Sequence, residues 1–64
     1  MALLLSSTDL AIAVAAKAGT LALVAREGRF GTYVSIEDDV GVIEVHRSAS
    51  EADARVAAIQ GALH

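Results

Sequence analysis

The sequence predicts an α+β domain of two layers, α-β-β-β-α, with a three-stranded antiparallel meander packed by two helices. Two observations carry this expectation. Two four-residue turns, each ending in glycine, separate three alternating segments, and both turns select the same apolar face. On either side lie alanine-rich runs that begin with helix-capping signals. At 64 residues the chain is read as one compact domain, 1–64.

The first helix is predicted at Leu10–Ala18. Ser6-Ser7-Thr8-Asp9 fits a capping box, a hydroxyl followed three residues later by a carboxylate, and Gly19 is a natural stop. Leu10, Ile12 and Val14 alternate with alanine, which is also a strand period. Alanine favours helix and is depleted from strands, and this decides for helix. Leu3-Leu4-Leu5 adds a short extended segment before it.

The strands are Thr20–Glu27, Thr32–Glu37 and Val42–Arg47, joined by Gly28-Arg29-Phe30-Gly31 and Asp38-Asp39-Val40-Gly41. Pairing Glu27 with Thr32 sets Leu23 opposite Ile36 and Ala25 opposite Val34. Pairing Glu37 with Val42 sets Ile36 opposite Ile43 and Val34 opposite Val45. The expected inner face is therefore Leu21, Leu23, Val34, Ile36, Ile43 and Val45. The final helix opens with overlapping capping boxes, Ser48–Glu51 and Ser50–Asp53. It carries the stripe Ala52, Val56, Ile59, Leu63, with Glu51 and Arg55 spaced for an exposed ion pair.

Composition narrows the function. With no cysteine there is no disulfide framework, thiolate metal site or cysteine nucleophile. A net charge of −3 speaks against general binding to nucleic acid or to anionic membranes. The apolar N-terminal stretch lacks the basic start of a signal peptide, and Lys17, Gly19 and Thr20 interrupt it before it reaches the length of a span. The chain reads as soluble and cytoplasmic.

No catalytic constellation is legible, and no metal or cofactor is expected. His46, His64, four aspartates and four glutamates are the candidate acids, bases and ligands, and they follow no recognised ligand spacing. Glu37-Asp38-Asp39 is the one concentrated charge. It is either a solvated turn or an acidic knob for a basic partner surface. In the register above, Arg26, Tyr33 and His46 share a row on the outer sheet face. Val24, Ser35 and Glu44 follow, then Ala22, Glu37 and Val42. Tyrosine and arginine are frequent binding anchors, so this face is a candidate interaction surface. Phe30 is a second anchor, or else folds back onto the core.

The element order resembles the double-stranded-RNA-binding fold. That family presents lysines at the start of its second helix, whereas Ser50-Glu51-Ala52-Asp53 places carboxylates there and argues against that use. The stretch Gly31–Gly41, followed by Ser50-Glu51-Ala52, is similar to the HicB-type antitoxin pattern, in which an aromatic strand leads to a Pro-Asp-x-x-Gly turn and a Glu-Ala helix. This chain has no proline there.

The expected function is that of a non-catalytic, small acidic protein that binds and inhibits or occludes a larger partner protein. Phage anti-defence proteins, anti-CRISPR proteins among them, share this size and charge class. The expected contacts are Glu37, Asp38, Asp39, Tyr33, Arg26, His46, Glu44 and Phe30, against a partner that itself carries a basic nucleic-acid-binding surface. Direct contact with nucleic acid or membrane is not expected. An antitoxin-like role, a homodimer or a structural subunit of a larger assembly is the alternative.

Overall fold

The computed structural model describes residues 6–62. In order they form α1 (Ser7–Ala18), β1 (Ala22–Gly28), β2 (Gly31–Glu37), β3 (Val42–His46) and α2 (Ala49–Ala62). The α+β class and the antiparallel order β1-β2-β3 agree with the sequence expectation. Leu3-Leu4-Leu5, Leu63 and His64 lie outside the described residues.

Capping sets the limits of α1. The Ser6 hydroxyl accepts from the Asp9 N–H, and the Asp9 carboxylate accepts from the Ser6 N–H, each at 3.1 Å. Gly19, at φ +77°, ends the helix in the left-handed conformation, and the Thr20 N–H returns to the Ala15 carbonyl at 3.0 Å. The alternation of Leu10, Ile12 and Val14 acquires a different meaning on a helix, where two residues are about 200° apart. Ile12 is buried, while Leu10 and Val14 point to solvent on the opposite side. At α2 the first of the two capping boxes supplies the cap, since the Ser48 hydroxyl accepts from the Glu51 N–H at 3.2 Å.

The β1–β2 register is the one expected, with Leu23 opposite Ile36, Ala25 opposite Val34 and Glu27 opposite Thr32. The ladder continues to Gly28 opposite Gly31, leaving Arg29 and Phe30 as the turn. Gly31 adopts φ +120°, a conformation open to glycine alone. Gly41 has no positive φ. The second turn is closed instead by Asp38, whose carboxylate accepts from the Val40 and Gly41 N–H groups at 2.8 and 2.9 Å.

The β2–β3 register departs from expectation after one pair. Glu37 faces Val42, but Ile36 then faces Glu44, Ser35 faces Val45 and Val34 faces His46. Ile43 is the extra residue of a β-bulge. A bulge shifts all later side chains by one position, which overturns the expected pairs Ile36–Ile43 and Val34–Val45. Ile43 still packs on the core, Val45 turns outward at 56% exposure, and Glu44 and His46 move to the helix side.

Both helices lie on that side. The core joins Ile12 and Ala13 of α1, Val34 and Ile36 of β2, and Ala52 and Ile59 of α2, with Leu21, Ile43 and Val56 at its margin. Leu23, placed in the core by the sequence pattern, lies beyond the helices and is 36% exposed. No helix among the described residues is long and apolar enough to cross a membrane.

Candidate functional site

Two polar clusters follow from this register, one on each face of the sheet. On the helix side, Arg55 of α2 donates from Nε to Glu44 of β3 at 2.8 Å, and its Nη2 donates to Asp9 of α1. His46 Nε2 lies 2.7 Å from the same Glu44 carboxylate. The expected Glu51–Arg55 pair does not form. Arg55 is drawn to two partly buried carboxylates, and Glu51 is left with a long contact of 3.9 Å to Arg47. The hydrogen bond from Arg55 holds Asp9 below the ordinary carboxylate range. For Glu44, burial is the largest effect and raises its pKa. The hydrogen bonds from Arg55 and His46 together outweigh burial and leave Glu44 lowered as well. The hydrogen bond to Glu44, then that to Asp9, raises Arg55 in turn.

The outer face has no helix over it. Its central row is Val24, Ser35 and Val45, its second row Ala22, Glu37 and Val42, and its third begins with Arg26 and Tyr33. Ser35 is fully buried here because the Arg26 and Glu37 side chains lie across it. Its hydroxyl donates to Glu37 at 2.5 Å, and Arg26 donates to the same carboxylate from Nε at 2.8 Å. The serine hydrogen bond first, and that from Arg26 second, lower the Glu37 pKa. The face thus has a charge-neutral polar centre flanked by Val42 and Val45, each 56% exposed.

The eight sequence-predicted residues fall into four places. Arg26, Tyr33 and Glu37 share the outer face as expected. Phe30 sits at the β1–β2 tip, is 98% exposed, and lines a shallow groove with Tyr33 and Arg47. The tyrosine ring lies over Gly28, where an added Cβ would stand 3.0 Å from Cε1. Asp38 and Asp39 occupy the opposite end of the sheet, and Asp38 is committed to its own turn. Glu44 and His46 are corrected to the helix side, because the bulge inverts their facing. Glu37 turns away from the two aspartates toward Arg26, so the acidic tip is less concentrated than the sequence suggests.

Val45, and the exposed Leu10 and Val14 of α1, are apolar surface that the sequence reading missed. The adjacent pair Val42-Ile43 was the available signal for a bulge, since strict alternation cannot bury one and expose the other while keeping Glu44 outward. Among the described residues, no group of three or more histidine, aspartate or glutamate side chains is placed to hold a metal ion.

The lowered carboxylates give stability a definite pH dependence. Asp9, Glu37 and Glu44 have folded-state pKa values below their unfolded ones. Their contribution is complete above the unfolded value, about 4, and is lost as pH falls through the folded values. The urea midpoint is therefore expected to fall progressively below about pH 4 and to change little between about pH 5 and 7 on account of these groups. A midpoint that rises on acidification would contradict these pairings.

The chain matches no protein-family model, and comparison with curated proteins and with solved structures finds no similar protein, so the functional reading rests on the two faces of this sheet.

Proposed function

We propose that this chain is a non-catalytic binding protein that inhibits or occludes a larger partner protein through the uncovered face of its sheet. The observation that supports this reading most is the construction of that face. Val42 and Val45 remain over half exposed on either side of a buried serine whose covering charges, Arg26 and Glu37, neutralise each other. An apolar surface with a satisfied polar centre loses little on desolvation, because no charge is stripped of its counterion. Tyr33 adds an aromatic side chain already fixed over Gly28, and Phe30 extends the apolar surface beyond the hairpin tip.

This construction favours the sheet face over the acidic tip as the main contact. Glu37 and Asp38 both spend carboxylate acceptors within the chain, which leaves Asp39 to carry the charge of the tip. Complex formation through the face is expected to depend weakly on salt, whereas an acidic knob on a basic groove would weaken steeply with it. Inhibitors of defence nucleases and antitoxin-like proteins are the partner-occluding classes that fit this size and charge.

A photo-reactive amino acid at Val45 tests the reading, with the same probe at Val14 as the control on the far side of the molecule. Cross-linking in host extract is expected to give one discrete adduct from position 45 and none from position 14. Val45→Lys is expected to abolish capture of that adduct's protein without changing the circular dichroism spectrum. Equal labelling from both positions, or capture unaffected by Val45→Lys, would overturn the reading.

A further inference from the structure

The two edges of the sheet differ in how they are protected. β3 is five residues long, is bulged at Ile43 and has α1 packed beside it. A bulge and a covering element are standard means of preventing further strand pairing. β1 has neither. Its seven residues pair with β2 without interruption, and all but Val24 are exposed. There is no proline in the chain, and the stretch Ala22-Leu23-Val24-Ala25 is apolar throughout. Antiparallel pairing turns every second residue of an edge strand outward, so β1 presents a row of free N–H and C=O groups.

We propose that this edge pairs with a second copy of the chain, β1 running antiparallel to β1 about a two-fold axis at Val24, to give one continuous six-stranded sheet. The charges on β1 and β2 argue for a second copy and select this register. Glu37 lies beside Ala22, and Arg26 stands four residues farther along the same face. Antiparallel pairing centred on Val24 places Arg26 of each copy beside Ala22 of the other, within reach of its Glu37. The contact occurs twice by symmetry, as an isologous interface requires. Arg26 has five N–H donors and its side chain is 45% exposed, so it serves the second carboxylate without leaving the first. An axis at Arg26 would bring two guanidinium groups together. An axis at Ala25 would set Glu27 against Leu23. Centring on Val24 instead places Leu23, which the helices leave 36% exposed, opposite Ala25 of the second copy. The proposal does not rest on the function of the outer face, although the pairing would set two such faces side by side.

Sedimentation equilibrium of the intact chain up to about 1 mM, the upper range for a small interface, is the first measurement, and a dimer is expected. Ala25→Lys places a charge on an exposed edge position and is expected to give a folded monomer by the same measurement and by circular dichroism. Arg26→Glu and Glu37→Arg alone are each expected to weaken the dimer at least about tenfold, because like charges then meet across the axis. An equimolar mixture of these two variants restores both crossed pairs and is expected to yield the heterodimer in native mass spectrometry. A wild-type monomer throughout overturns the proposal, as does a dimer that survives Ala25→Lys unchanged. Failure of the two folded variants to combine overturns the Val24 register. An extended peptide of another protein occupying β1, with the chain itself monomeric, also overturns it.

Discussion

Replacing Arg55 by alanine is expected to lower stability by about 2 kcal/mol, between the near-zero value of a surface ion pair and the 3–5 kcal/mol of a fully buried one. Side-chain exposures of 28% for Arg55, 19% for Asp9 and 20% for Glu44 put the cluster between those limits. The loss comes chiefly from what remains. Two carboxylates are left facing one vacated position, each partly removed from water and repelling the other. Arg55→Ala combined with Glu44→Gln is therefore expected to recover part of the loss, and a double-mutant cycle by urea denaturation measures that recovery. Arg55→Lys cannot donate in two directions from a planar group and is expected to fall between wild type and alanine. A change below about 0.5 kcal/mol for Arg55→Ala would show that water replaces the guanidinium at little cost.

Ile36→Ala is expected to cost about 3 kcal/mol, the middle of the range for removing a large buried aliphatic side chain. Ile36 is fully buried in the central strand and packs within the cluster formed by Ile12, Ala52 and Ile59. Three of the seven buried apolar residues are alanines, so Ile12, Val34, Ile36 and Ile59 supply most of the core volume. Few neighbours can move to fill the vacancy. For a chain of this length total stability is roughly 3–10 kcal/mol, so the substitution removes a large share of it. The expected drop in Tm is about 15 °C, read by thermal circular dichroism. Val45→Ala, on the open face of the adjacent strand, is expected to shift Tm little, and an equal effect at both positions would contradict the assignment of faces.

The first hairpin was legible because turn chemistry and face pattern agree. Gly28 and Gly31 close a turn that sets Leu23 against Ile36 and leaves Arg26 beside Tyr33 on the other face. The second hairpin was legible only to its first pair. Ile43 follows Val42 directly, and a regular ladder must send one of the two outward. The chain instead inserts Ile43 as a bulge, because this keeps an isoleucine in the core and brings Glu44 to Arg55. That gain is tertiary. Arg55 and Glu44 are eleven residues apart, Arg55 and Asp9 forty-six, and no local pattern announces either contact. The same limit explains why Glu44 and His46 were placed on the outer face and why Val45 was missed as part of it. Capping was legible at both helices because Ser6, Asp9, Ser48 and Glu51 act within one turn of backbone.

The span of the Asp9–Arg55 contact also bears on how long the native state lasts once formed. The two hairpins join residues close in sequence and can close early, whereas bringing α1 to α2 requires the whole meander between them to be ordered first. A contact made after the transition state acts on the rate of opening and hardly at all on the rate of closing. The guanidinium that joins the two helices is thus expected to work as a kinetic latch. It leaves the folding rate to the hairpins and sets the lifetime of the folded molecule.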